Sequence, residues 1–169
     1  MAYNILDQYS LDINWYFADR FNRLIVAASG GGVLPTRIVE NDENNELFHK
    51  LVLELPIRFK VARNENVTNQ IEGLTSENLD FYFRDFEALA SRGFYVFDKL
   101  RLTNPEDGNY LLVAYPIYNT YTDTYPIEKD KLSLIPKTKR AIISRANQTL
   151  FESNFYAKDI VSILNNSTQ

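Results

Sequence analysis

Residues 11–32, LDINWYFADRFNRLIVAASGGG, decide how the chain is read. From Leu11 to Asp19 the side chains alternate: Ile13, Trp15 and Phe17 fall on one side, Asp12, Asn14 and Tyr16 on the other. Successive side chains of a strand point to opposite faces, so this is the pattern of a strand with one wet face. Arg20 to Asn22 is a short polar turn around Phe21. Arg23 to Ser29 is a second, more apolar strand, and the two predict a β-hairpin. Gly30, Gly31 and Gly32 end it, and Pro35 forbids a simple continuation. A phosphate cradle needs a Gly-Lys-Ser/Thr ending or a helix opening directly at the glycines. Here Val33-Leu34-Pro35 follows, so the run reads as a tight exit from the sheet.

Working outward, Asp42 is placed to cap a helix from Glu43 to Glu54, with Leu47, Phe48, Leu51, Val52 and Leu55 on one face of a 3.6-residue period. Pro56 closes it, Ile57 to Ala62 alternates weakly as a strand, and Arg63 to Thr75 is a polar loop. A second helix spans Ser76 to Arg92, capped by Thr75 or Ser76, with Leu79, Tyr82, Phe83, Phe86, Leu89 and Ala90 as its apolar stripe. Gly93 sits where a helix ends in the left-handed region. Phe94 to Leu100 and Tyr110 to Tyr115 form a second hairpin around the turn Asn104-Pro105-Glu106-Asp107-Gly108. Beyond Pro116 the signals thin: Ile117 to Pro126 is rich in Tyr and Thr, Ala141 to Ser144 reads as strand, and Asn154 to Leu164 reads as a helix presenting Tyr156, Ile160, Ile163 and Leu164. Strands and helices come in groups. That pattern predicts an α+β fold: a mainly antiparallel sheet built from hairpins, with two to three helices packed on one face.

The 169 residues suit a single domain, with residues 165–169 expected to be disordered. The formal charge of −4 argues against nucleic acid and anionic membranes, whose partners carry basic stripes. Lys137-Thr138-Lys139-Arg140 is the nearest approach to one and reads as a solvated face or capping cluster. The chain has no cysteine, which excludes disulfides, thiolate chemistry and cysteine metal sites. No apolar run approaches the roughly 20 residues of a membrane span. The first twelve residues are polar rather than signal-like, so a cytoplasmic location is expected.

Chemistry is sparse. His49 is the single histidine and lies in the first long helix, where it reads as a surface or helix-packing residue. No Ser-His-Asp order, nucleophile elbow or His-Glu-x-x-His helix appears. Asp12 and Asp19 lie at opposite ends of a strand, and Asp80 and Asp85 do not share a helix face. The sequence therefore offers no catalytic, cofactor-binding or metal-ligating residues. The tyrosines are more informative, because Tyr110, Tyr115, Tyr118, Tyr121 and Tyr125 cluster with Thr and Asp interleaved. Tyrosine combines contact area with a hydrogen-bonding tip, so Tyr118, Tyr121 and Tyr125 are the candidate partner-binding residues.

Trp15-Tyr16-Phe17-Ala18-Asp19, with Gly30-Gly31 and Pro35 downstream, resembles a family of small uncharacterised bacterial proteins that carry a Trp-x-Phe hairpin and a Gly-Gly-x-x-x-Pro exit. Leu89 to Asp98 followed by Tyr110 to Pro116 resembles their second signature. The resemblance implies an immunity-type partner of a bacterial toxin and transfers no catalytic residue. The expected function is a non-enzymatic, cytoplasmic protein-interaction module that meets another protein or a second copy of itself. The alternative is a small-molecule-binding domain or weak enzyme with a pocket between sheet and helices. A large apolar cleft with convergent polar groups and a perturbed carboxylate is the feature that favours this alternative.

Overall fold

The computed structural model describes residues 3–119, 126–146 and 149–167. The first hairpin forms as the alternation predicts. β1 (Asn14–Ala18) pairs antiparallel with β2 (Leu24–Ala28), matching Trp15 to Ala27 and Phe17 to Ile25. Its turn is fixed by the buried Asp19, whose Oδ1 accepts from the backbone N–H of Phe21 (2.8 Å) and Arg23 (3.1 Å), and by Asn22 at φ 59°.

From β2 the sheet grows sideways. β2 pairs parallel with β4 (Tyr95–Lys99), which pairs antiparallel with β5 (Asn109–Ile117), and β5 pairs antiparallel with β3 (Lys60–Arg63). The order is β1-β2-β4-β5-β3. Arg145–Ala146 (β6) and Thr149–Leu150 (β7) form a separate small ribbon. Lys158–Asp159 (β8) pairs with the start of β5. The fold is thus α+β and mainly antiparallel, with β5 running on through Pro116.

Both long helices, α3 (Asp42–Glu54) and α4 (Leu79–Ala90), pack on one face of the sheet. Phe48, Val52, Phe83 and Leu89 meet Tyr16, Val26, Val96, Leu111 and Val113 there. The opposite face is closed by shorter pieces: α2 (Thr36–Val39), α5 (Ile160–Asn165) and the irregular Ile142–Ile143 cover Trp15, Phe17, Ile25, Phe97 and Leu112. This corrects the reading of a wet face on the first strand. Tyr16 is fully buried, because α3 lies across the side that alternation alone assigns to solvent.

The outer edge of β1 is sealed without another strand. The Asn45 side chain of α3 accepts from Tyr16 N–H (3.0 Å) and donates to the Asn14 carbonyl (3.0 Å). The chain at 136–138 completes the row: Ala18 N–H donates to the Pro136 carbonyl (3.0 Å), and Thr138 N–H to the Ala18 carbonyl (2.9 Å).

Other boundaries shift for local reasons. Residues Ile5–Ser10 form a short helix, α1, started by a capping box between Asn4 and Asp7. Asp42 is the first residue of α3 rather than its cap. A 3₁₀ turn at Ser76–Asn78 precedes α4, and Gly93 takes φ 103° as expected. Val67 and Ile71, in the segment read as a polar loop, are buried in the core. Ala141 to Ser144 is not a strand, and the expected helix from Asn154 is a 3₁₀ turn, β8 and then α5, which leaves Tyr156 exposed. Of residues 165–169, the last two lie outside the described residues; Asn165 accepts from Thr36 N–H (2.8 Å), and the Ser167 hydroxyl bonds to Thr138 (2.7 Å).

Trp15 is fully buried, stacked on Phe17 at 5.5 Å and edge-on to Tyr110 at 5.6 Å. Trp15→Ala is expected to cost about 3–5 kcal/mol in a urea titration. Among the described residues the Trp15 Nε1 and the Tyr110 hydroxyl, both buried, meet no partner in good hydrogen-bond geometry, although the indole N–H lies near enough to the hydroxyl to favour its ionised form. Tyr110→Phe is therefore expected to change stability by less than about 1 kcal/mol, since no well-formed bond is lost. A loss comparable to that of Trp15→Ala would show that the hydroxyl is bonded after all.

Candidate functional site

The sheet register builds one floor on the α4 side. Asn14 pairs with Ala28, and Ala28 with Asp98, so these three form a row across β1, β2 and β4. They lie in phase with Tyr16, Val26 and Val96, which face the long helices. Ala28 ends β2 and Asp98 nearly ends β4, so the row lies where the two parallel strands finish together. Ala28 is small, and its neighbours leave room beneath α4. Tyr82, Phe86 and Leu89, spaced along one helical face, form the opposite wall.

The space between them is a cleft of about 730 Å³. Leu74, Phe81 and Leu102 border its mouth, and Phe81 is 74 % exposed. Asp98 lies at the floor and is buried. Its Oδ2 accepts from the Tyr82 hydroxyl (2.7 Å) and its Oδ1 from Lys99 N–H (2.8 Å). Among the described residues it makes no ion pair. Burial pushes the Asp98 carboxyl up to about 6, opposed by the two hydrogen bonds and reinforced by the Asp12 charge. Burial, then the neighbouring Asp98, raises the Tyr82 hydroxyl, which stays a proton donor. Asp12 and Asp85 stand exposed at the rim, Asp12 accepting from Gly30 N–H (2.8 Å).

A second cavity of about 330 Å³ adjoins the first through Asp12 and Asn14 and reaches His49. His49 packs against Tyr16 with Nδ1 2.6 Å from its hydroxyl, and burial lowers the pKa of the imidazole. Among the described residues no three His, Asp or Glu side chains gather to hold a metal. The glycine exit is filled by the protein itself. Gly30 and Gly31 take φ 53° and 70°, and a Cβ on Gly31 or Gly32 would come within 2.9 Å of the Tyr9 or Pro105 carbonyl oxygen. Beneath the run the buried Lys99 ammonium donates to the Pro105 and Asp107 carbonyls.

Of the tyrosines proposed from sequence, Tyr118 is half-buried and tied into the fold. Its hydroxyl donates to the Gly93 carbonyl (2.7 Å) and its ring packs on Phe59 at 4.6 Å. Tyr121 and Tyr125 lie outside the described residues. The sequence reading missed Asp98 and Tyr82. The available signal was a carboxylate two residues after Val96, on the same inward phase of a strand that begins with three apolar or aromatic residues.

Comparison with protein-family models, with curated proteins and with solved structures gave no match for this chain. Among the described residues no helix is long and apolar enough to cross a membrane.

The folded-state value of Asp98, about 6, lies above its ordinary 3.8. Between those values the folded chain binds more protons than the unfolded one, so stability falls as pH rises and the penalty is complete above pH 6. Asp98→Asn is therefore expected to stabilise the protein by about 1–2 kcal/mol at neutral pH and to bring no gain near pH 4. Thermal melts of both proteins at the two pH values check this. A variant destabilised equally at both would mean that Asp98 carries no buried-charge penalty.

Proposed function

We propose that this protein is a small-molecule-binding domain whose ligand enters the cleft between the sheet and α4. The observation that carries this reading is an aromatic-walled cleft of about 730 Å³ with, at its floor, a buried carboxylate that makes no ion pair among the described residues. Ligand sites in proteins combine such a volume with mostly apolar walls and a few placed polar groups. A buried carboxylate lowers stability at neutral pH, and groups retained at such a cost concentrate at functional sites. We place the protein in the cytoplasm, a location that fits its lack of cysteine.

A second reading, a protein-interaction module, is favoured by one observation of its own. Helix α1 turns Gln8 inward and leaves Ile5 and Leu6, with Leu11 just beyond, at half exposure or more. An acidic chain suits a basic partner, of which a toxin in the sense of the sequence resemblance is one example.

A thermal-shift screen of small amphiphilic compounds separates the two. Hits are expected, and Phe81→Ala combined with Leu102→Ala should weaken them about fivefold or more while shifting the unliganded melting temperature little, since both side chains are exposed. Hits unaffected by the pair, or none at all, would remove the cleft reading. Loss of a partner complex on Leu6→Glu would favour the second.

A further inference from the structure

We infer that the cleft takes an organic cation: a molecule with an apolar body and one ammonium or amidinium group. This rests on the cleft being a ligand site and goes on to name the ligand's chemistry. Three carboxylates, Asp12, Asp85 and Asp98, line the cleft, and among its described lining residues there is no Lys, Arg or His. The two at the rim are solvated, and they set the sign of the potential that an entering molecule meets. The third is at the floor, where both of its hydrogen bonds come from neutral donors. A neutral ligand leaves that charge uncompensated and an anion is repelled, whereas a cation supplies the missing partner in a site of reduced dielectric.

The walls point the same way. Phe81, Tyr82 and Phe86 line the cleft with aromatic rings, a side-chain type that attracts cations. Phe81 already attracts one, the Arg84 guanidinium, whose Cζ stands 5.2 Å from the ring centroid. A bare divalent metal fits poorly, because among the described residues no cluster of three metal-ligating side chains forms. The apolar wall likewise calls for a body that buries carbon, not a hydrated ion.

The test uses the full chain labelled with ¹⁵N and three probes of similar shape: phenethylammonium, 2-phenylethanol and 3-phenylpropionate. Amide shifts of Gly30, Asp85 and Lys99 report the cleft. At about pH 7.5, where Asp98 is ionised, the ammonium is expected to bind about tenfold tighter than the alcohol, and the carboxylate not to saturate. Asp98→Asn should erase most of that preference, and Asp85→Asn, an exposed change that leaves folding intact, should reduce it by about two- to threefold. An alcohol that binds as tightly as the ammonium overturns the ligand class while leaving the cleft as a ligand site. Ammonium shifts that avoid the three reporter amides, or a preference that survives both substitutions, overturn it as well. Silence from all three probes overturns it too, and the screen of amphiphiles then decides separately whether the cleft binds anything.

Discussion

The parallel pairing of β2 with β4 governs this fold. Two parallel strands cannot be joined by a tight turn, so the chain that leaves Ala28 must travel back before Tyr95 can begin. The intervening residues use that passage to lay α2 on one face of the sheet and α3 and α4 on the other, with β3 added at the far edge. The same pairing brings the ends of β2 and β4 side by side, where Ala28 leaves the space that α4 roofs. The cleft is thus a by-product of the crossover, placed where neighbouring strands end in step.

Buried charges in this core are handled in two ways. Asp19 is surrounded by donors: the N–H groups of Phe21, Arg23 and Ile142, and the Arg23 guanidinium at 3.4 Å. It ties the first turn to the segment that covers Trp15, and its role is architectural. Asp98 and Lys99 are adjacent, yet alternation sends them to opposite faces, so they cannot neutralise each other. Lys99 spends its protons on loop carbonyls, whereas Asp98 faces a cleft with one hydroxyl and one amide for company. The contrast separates a carboxylate ringed by structural donors from one that accepts two hydrogen bonds at the floor of a cleft.

Much of the fold was legible in the sequence. Alternation fixed the first hairpin, the Asn104–Gly108 turn fixed the second, and the stripe from Leu79 to Ala90 fixed α4. These signals are local: a period, a turn, a left-handed glycine. What stayed illegible depends on partners far along the chain. Tyr16 reads as wet until α3, some thirty residues on, crosses it with His49 and Asn45. Val67 and Ile71 are too isolated to show a period, and Ile142 and Ile143 are buried without regular structure. The site was hidden for the same reason. Asp98 gains its meaning from Asn14, Ala28 and Tyr82, which only the register and the helix crossing bring to it.

The sealing of β1 has a consequence for assembly. An edge strand normally presents a row of free main-chain donors and acceptors to which a strand from another copy can add, the first step of runaway polymerisation. Here one side-chain amide and the backbone of a three-residue stretch of loop occupy that row, so the protection is divided between Asn45 at one end and residues 136–138 at the other. Replacing Asn45 by an aliphatic side chain would strip the Tyr16 N–H and the Asn14 carbonyl of their partner and reopen that half of the edge, while the loop would still cover Ala18.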